Sequence, residues 1–93
     1  MGVEYKILYA RAVVDTDIRR IASSWRKKIQ NAVERKLTVA PETYGKPLRR
    51  SLAGYRKLRV GDYRIIFRIE KNRVKILAIM HRREVYKSLH NRV

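Results

Sequence analysis

Cationic side chains crowd together in one short segment of this chain. The segment KLRVGDYR, residues 57–64, places Lys57 and Arg59 before a Gly-Asp pair and Arg64 shortly after it. Arginine binds phosphate oxygens through paired hydrogen bonds, and a lysine next to other cations gives up its proton more readily. Metal-free cleavage of RNA needs such groups, because the 2′-hydroxyl must lose a proton and the phosphoryl oxygens gain negative charge.

Residues that other chemistries need are missing or scattered. The chain has no cysteine, which excludes thiol catalysis, disulfides and cysteine-ligated zinc. His81 and His90 lie nine residues apart with no obvious partner, and the acidic residues form no cluster. No Gly-rich phosphate-binding motif occurs either. We therefore predict neither a metal nor a cofactor.

The overall charge predicts an anionic partner. Lysine and arginine number 24 against 8 acidic residues, so the 93-residue chain has a net charge of +16. RNA is the first candidate, and an acidic protein or an anionic membrane surface comes next. The basic residues are spread over the whole chain, so we expect a folded basic surface and not a disordered arm.

Length and hydropathy predict a single folded domain over residues 1–93. Hydrophobic residues make up 45% of the chain, which is ordinary for a globular protein. No apolar run approaches the roughly 20 residues that a membrane-spanning helix needs, and the N-terminus lacks a long apolar signal core. We therefore predict a cytoplasmic protein with no membrane partner. Self-repulsion at this charge favours a monomer when no protein partner is bound.

Two helices must support the cationic segment. An apolar stripe recurs every three or four residues, and the serines at 23 and 24 divide it into helices over residues 11–22 and 24–38. The members of the stripe are Val14, Ile18, Ile21, Trp25, Ile29, Val33 and Leu37. The second helix has a basic polar face that includes Lys36. We interpret these charged side chains as solvent-exposed, without a binding role. Residues 40–45 contain Pro41 and Gly45 and are predicted to form a loop.

Four strands complete a predicted α+β fold. A strand over residues 5–9 joins a three-stranded meander over Arg56–Val60, 63–69 and 74–80, and a short helix over residues 84–91 follows. The meander turns at Gly61-Asp62, a pair that suits a type II′ turn, and at Lys71-Asn72, where asparagine tolerates a positive φ. We expect a small antiparallel sheet packed against the two N-terminal helices.

The turns determine which side chains share a face of this sheet. A two-residue turn at 61–62 pairs Arg59 with Arg64, and a turn at 71–72 pairs Arg64 with Ile79. Because side chains alternate along a strand, one face is apolar and the other is basic. The basic face is predicted to hold Lys57, Arg59, Arg64, Arg68 and, near one end, His81. Cations directly opposite each other repel, which favours an anion-binding site over a generic basic face beneath the last helix.

Four segments resemble the RelE/ParE superfamily of bacterial and archaeal toxins. They are GKPLR at 45–49, LAGY at 52–55, LRVGDYRIIF at 58–67 and HRREVY at 81–86. The order of a strand, two helices, a three-stranded meander and a C-terminal helix is also similar to that family. RelE-type toxins cleave messenger RNA in the ribosomal decoding site and are inhibited by a cognate antitoxin. The resemblance therefore implies a RelB-like antitoxin, the ribosome and mRNA as partners.

The resemblance also implies roles for individual residues. Lys57 and Arg59 match the basic strand pair that includes the general base, and Arg64 matches the arginine that stabilises the phosphate. Arg82 matches a proton donor or charge stabiliser, with Arg83 adjacent to it, and Tyr86 matches the tyrosine that stacks on the substrate base. Further substrate-binding positions are expected at Arg49, Arg50, Arg56, Arg68, His81 and Arg83. Arg56 could replace Lys57 by register, but alternation favours Lys57, which shares a face with Arg59.

Three functions remain open at this point. The first is a ribosome-dependent mRNA endonuclease that works without a metal, which the combined set of cations and the terminal tyrosine favours. The second is a ParE-like toxin that inhibits DNA gyrase and uses the same scaffold. The third is a basic module that binds RNA or the ribosome without cleaving it, because binding and cleaving phosphate use the same cations.

Overall fold

The computed structural model describes residues 4–92, which form one five-stranded sheet with helices on both faces. The strands lie in the order β1-β5-β4-β3-β2. Their bounds are β1 Lys6–Tyr9, β2 Lys46–Pro47, β3 Arg56–Val60, β4 Tyr63–Glu70 and β5 Arg73–His81. The three-stranded meander is therefore confirmed, with β3 ending and β4 beginning at the predicted residues.

The α+β fold is confirmed, but the sheet is mixed, whereas we expected an antiparallel sheet. β1 pairs with β5 in parallel, while β2, β3, β4 and β5 pair antiparallel in succession. Parallel neighbours need a long crossover connection, and the helices that follow β1 begin such a crossover. The two-residue strand β2 is additional to the predicted strands, and it pairs only with Arg56 and Lys57 of β3.

The two predicted N-terminal helices are confirmed within one or two residues at each end. Helix α1 occupies residues 11–20 and helix α2 occupies residues 23–37. Residues 40–45 are not a simple loop, because Pro41–Tyr44 forms a helical turn, α3. Proline is well suited to the first position of a helix, where its missing N–H costs no hydrogen bond. The C-terminal helix α4 spans Val85–Leu89.

Helix α1 departs from regular α-helical geometry, and this changes which residues it buries. Val13–Asp17 forms a π turn and Ile18–Arg20 a 3-10 turn. The wider turn alters the angular position of the side chains, so Val13 is buried while Val14 is 51% exposed. The prediction that Val14 belongs to the apolar stripe is therefore wrong.

Two hydrophobic clusters lie on opposite faces of the sheet. The larger one packs α1 and α2 against the face that holds Leu58, Ile65 and Phe67. The smaller one packs α4 and the 48–55 segment against the other face, and its buried members are Leu52, Ile66, Ala78, Val85 and Leu89. The face predicted to be basic is thus partly covered by a second core. No helix in residues 4–92 is long and apolar enough to cross a membrane.

A β-bulge in β5 corrects part of the predicted register. Arg68 pairs with Lys75 as predicted, but the pairing shifts between Ile66 and Phe67, and Leu77 is the extra residue. Beyond the bulge Arg64 pairs with Met80 and not with Ile79. A register shift of one residue moves the following side chains to the opposite face. His81 therefore lies opposite Tyr63, on the face that meets α1 and α2.

Both hairpin turns occupy the predicted positions. Gly61 has a φ of +59°, which agrees with the glycine expected at the first position of a type II′ turn. In the second turn the positive φ belongs to Lys71, at +58°, and not to Asn72. Gly61 also packs against Trp25 of α2, because a Cβ at this position would lie 2.3 Å from the Trp25 ring.

Gly45 is expected to tolerate no side chain. A Cβ there would lie 2.2 Å from Cζ of Phe67, which is fully buried. Gly45→Ala should therefore lower the free energy of unfolding by about 1–3 kcal/mol, measured by urea denaturation. Phe67→Leu would free some of this space, so the double variant should lose less stability than the two single losses combined. Unfolding of Gly45→Ala at the wild-type urea midpoint would contradict the packing argument.

Candidate cationic site

The central cations of the site lie where the sequence predicts them. Arg59 is directly opposite Arg64 in the β3–β4 hairpin, and Lys57 is opposite Ile66. Alternation places all three cations on the face that carries the smaller hydrophobic cluster. In the ion pairs found among residues 4–92, neither Lys57, Arg59 nor Arg64 takes part. Their positive charges are therefore uncompensated at short range.

Tyr86 of α4 lies beside Lys57. Val85 and Leu89 anchor this short helix in the smaller hydrophobic cluster, and Tyr86 remains 42% exposed. Lys57 Nζ donates a hydrogen bond of 3.3 Å to the Tyr86 hydroxyl oxygen and lies 5.9 Å from the centre of its ring. The second core thus holds an aromatic ring next to the cationic hairpin.

The backbone of the hairpin turn orients Arg64. Its Nη1 donates to the carbonyl oxygens of Gly61 and Tyr63, both at 3.0 Å. A guanidinium has five N–H donors, so these two contacts position the group and leave other donors for an anion. The pairing with Arg59 across the hairpin then gives two guanidinium groups on the same face.

Arg82 approaches the same turn from β5. Its backbone N–H donates to Asp62 O at 2.7 Å, and its Nε lies 3.6 Å from an Asp62 carboxylate oxygen. Both side chains are more than half exposed, so this is a weak surface ion pair. Arg83 is exposed, and its backbone N–H donates to His81 Nδ1 at 3.2 Å. The structure therefore brings Arg82 to the hairpin end, with a carboxylate beside it.

Three of the expected substrate-binding residues lie apart from this cluster. Arg68 is four residues from Arg64, about 13 Å along the strand, and pairs with Glu70. Arg56 lies opposite Phe67 and donates to the carbonyl oxygens of Glu42 and Gly45. His81 faces the other side of the sheet, as described above. Arg68 and Arg56 thus have local partners, and the strand pairing places Lys57, and not Arg56, on the face of Arg59.

Arg49 and Arg50 belong to a segment that packs on the same face of the sheet as the central cations. They belong to the 48–55 segment, whose Leu48 and Leu52 pack into the smaller hydrophobic cluster alongside α4. Both arginines are exposed, and Arg50 has a φ of +60°, which is uncommon for a residue with a side chain. They therefore occupy the same face of the sheet as Lys57 and Tyr86.

Three residues that the sequence did not indicate share a cleft with the central cations. This cationic cleft has a volume of about 350 Å³. It is lined by Lys57, Arg59, Arg64 and Leu58, and by the additional residues Lys36, Tyr44 and Lys46. The sequence predicts Lys36 on a solvated helix face and residues 40–45 as a loop. A proline followed by three helix-compatible residues was the available signal for the Pro41–Tyr44 turn.

A separate apolar cleft of about 270 Å³ lies between the N-terminal helices and the β1–β5 side of the sheet. Its apolar lining residues are Tyr9, Ile18, Ile21, Ile29 and Ile79, with Arg26 and Gln30 beside them. Burial, and to a smaller extent the negative charge of Glu34, raises the pKa of Tyr9 above its ordinary value. This cleft lacks the cluster of cations that phosphate chemistry needs, so it is a less suitable reaction site.

Comparisons with known proteins agree with this architecture. The family model described as ParE toxin of type II toxin-antitoxin system, parDE, matches residues 8–86. Toxin RelG of Mycobacterium tuberculosis is 45% identical over 53 residues, which span 55% of this chain and 61% of the length of RelG.

Solved structures extend the similarity over most of the chain. A chain of the toxin-antitoxin complex RelBE2 from Mycobacterium tuberculosis superposes with a TM-score of 0.80 and 30% identity, covering 85% of this chain and 92% of that one. A mutant of E. coli toxin RelE in the free state gives a TM-score of 0.66 at 15% identity, covering 97% of this chain and 98% of that one. At that identity the second likeness concerns the fold alone.

Proposed function

This chain belongs to the ParE toxin family of type II toxin-antitoxin systems, within the RelE/ParE superfamily, and we propose that it is a ribosome-dependent endoribonuclease. The observation that carries this proposal is a group of three cations, Lys57, Arg59 and Arg64, that form no ion pair within residues 4–92 and lie next to the exposed ring of Tyr86. An unneutralised cationic cluster beside an aromatic ring suits a phosphate and its adjacent base.

Each residue then has a role in attack of the 2′-hydroxyl on the scissile phosphate. Lys57, in its unprotonated amine form, takes the proton from the 2′-hydroxyl and becomes an ammonium; an arginine keeps its proton at physiological pH and cannot act as this base. Arg59 and Arg64 bind the phosphoryl oxygens as negative charge develops, and Arg82 stabilises the departing 5′-oxygen. Tyr86 stacks on the neighbouring base. Arg49, Arg50 and Arg83 contact flanking phosphates.

The family assignment also supports a second function. The matching family model describes ParE toxins, so inhibition of DNA gyrase is the alternative. The combination of Lys57, the paired arginines and Tyr86 favours RNA cleavage. Lys57 supplies a base, the arginines supply charge stabilisation and Tyr86 supplies a stacking surface, all on one face of the sheet. A basic module that binds RNA or the ribosome without cutting would use the same cations.

Cleavage of translated message is the direct test of the proposed function. Purified protein added to ribosomes that translate a defined mRNA should produce cuts at the ribosomal decoding site, mapped by primer extension. Attack by the 2′-hydroxyl leaves a 2′,3′-cyclic phosphate on one fragment and a 5′-hydroxyl on the other, which end-labelling detects. Intact message together with inhibited DNA supercoiling would favour the gyrase function, and ribosome binding without cuts would favour the non-catalytic module.

We further propose a RelB-like antitoxin as the protein partner. The similar RelBE2 chain comes from a toxin-antitoxin complex, and the net charge of +16 favours an acidic or amphipathic binding segment. Exposed Leu8 and Val14 provide apolar contact area on β1 and α1. Co-expression of an adjacent gene for a small acidic protein should abolish growth arrest and yield a complex that co-purifies.

A further inference from the structure

The cationic cleft continues past the proposed reacting groups, over the edge of the sheet. Strand β2 pairs with only Arg56 and Lys57, so in the part of the chain that the structure describes residues 58–60 of β3 have no strand on their outer side. Lys46 of β2 is the cross-strand partner of Lys57, and Lys36 and Tyr44 approach from α2 and α3. The cleft therefore connects the cationic face of the sheet with the helical layer.

Tyr44 combines exposure with a fixed position. It is the last residue of α3 and is 46% exposed. Lys36 Nζ lies 5.5 Å from the centre of its ring, which adds a cation to the aromatic surface. Pro41, which begins α3, is fully buried, so the turn that presents Tyr44 is anchored in the protein.

We propose that Lys36, Tyr44 and Lys46 form a second nucleotide-binding subsite for single-stranded RNA. Grooves that bind single strands combine cations that follow the phosphates with aromatic rings on which bases stack. Lys57 contacts Tyr86 and also lines the cleft with Tyr44, so the scissile phosphate lies between two aromatic rings. Tyr86 stacks on a base on one side, and Tyr44 stacks on a base on the other side while Lys36 and Lys46 bind its phosphate.

This inference rests on the proposed function for the identity of its ligand, but its test does not need cleavage. The probe is a fluorescein-labelled single-stranded RNA in which every 2′-hydroxyl is methylated, so that it binds but cannot be cut. Affinity is measured by fluorescence anisotropy at fixed salt. Tyr44→Ala should weaken binding by about 10- to 100-fold, since one base loses its stacking partner, whereas Tyr44→Phe keeps the ring and should bind within about twofold of wild type.

Tyr9→Ala is the matched control. Tyr9 is also a tyrosine, is 40% exposed, and lies on β1 at the opposite edge of the sheet. Its replacement should leave RNA affinity unchanged. The two lysines are tested together: Lys36→Ala/Lys46→Ala should reduce the slope of log affinity against log salt by about 1.4, while the control pair Lys6→Ala/Lys27→Ala should not. Circular dichroism confirms that each variant is folded.

The outcomes separate the two proposals. If wild type cuts translated message but Tyr44→Ala binds and cuts like Tyr9→Ala, the second subsite is wrong and the proposed function stands. If wild type neither binds the RNA probe nor cuts message, both proposals fail. If Tyr44→Ala leaves RNA affinity unchanged but weakens binding of the antitoxin, the cleft is a protein-docking surface and the RNA subsite is overturned.

Discussion

Arg64→Ala is expected to lower the rate of message cleavage by about 10²- to 10³-fold, the usual cost of removing one group that stabilises transition-state charge. Two backbone carbonyls hold the Arg64 guanidinium on the face that it shares with Arg59 and Lys57. The loss should appear in single-turnover cleavage on translating ribosomes. Expression of the variant should no longer arrest growth, while thermal unfolding stays close to wild type.

Two further variants test whether the loss of cleavage is specific to the phosphate site. Arg68→Ala removes an arginine from the same strand and face. Arg68 lies about 13 Å from Arg64 along the strand and pairs with Glu70, so cleavage should change little. Arg64→Lys keeps the charge but loses the paired donors, so it should cleave at an intermediate rate. If folded Arg64→Ala arrests growth as strongly as wild type, the active site lies elsewhere.

Among the substitutions considered, replacement of Asp17 is expected to lower the free energy of unfolding the most. Its side chain is 2% exposed, and both of its carboxylate oxygens accept hydrogen bonds from the guanidinium of Arg92, at 2.6 and 2.7 Å. It also accepts a hydrogen bond of 2.9 Å from the backbone N–H of Ile79, beyond the last β5 residue that pairs with β1. One carboxylate thus joins α1, the uncovered edge of β5 and the turn after α4.

Asp17→Ala should therefore lower the free energy of unfolding by about 3–5 kcal/mol, because Arg92 becomes a partly buried charge without its carboxylate and keeps only the carbonyl oxygen of Leu77. A loss of this size is a large part of the roughly 5–15 kcal/mol that stabilises a domain. Urea denaturation measures the change. Asp15→Ala is the matched control: it lies on the same helix, and its pair with Arg11 is exposed, so its effect should stay below about 0.5 kcal/mol.

A second measurement separates the ion pair from the local helix. Hydrogen exchange should show that Asp17→Ala increases opening in residues 85–92, which are remote in sequence but joined to Asp17 through Arg92. Increased exchange confined to α1 would contradict the proposed connection. Since α4 carries Tyr86, loss of this connection should also reduce cleavage in variants that remain folded.

The β3–β4 hairpin was predictable because its determinants are local. A two-residue turn containing Gly61 pairs the strands in one register, and side-chain alternation then places Lys57, Arg59 and Arg64 on one face. The two N-terminal helices were predictable for the same reason, since apolar spacing of three and four residues identifies a helix from its own sequence. These elements include the proposed general base and both arginines that bind phosphate.

Features that depend on packing between distant segments were not predictable. The extra residue Leu77 moves His81 to the face of the sheet that meets α1 and α2, and the π turn in α1 exposes Val14. No local sequence pattern predicts either change. The parallel pairing of β1 with β5 likewise depends on how the helical crossover packs. Each of these errors lies at a place where regular geometry is interrupted.

The sequence by itself determined the cationic hairpin, because charge, turn type and strand alternation act over a few residues. The resemblance of four segments to known toxins indicated the family. Only the tertiary structure decided what surrounds that hairpin. It set Tyr86 against Lys57, brought Lys36 and Tyr44 to the same cleft, and joined Asp17 to the C-terminal turn. The physical reason is that these contacts join segments far apart in the chain, whose approach depends on how two hydrophobic clusters pack against one sheet.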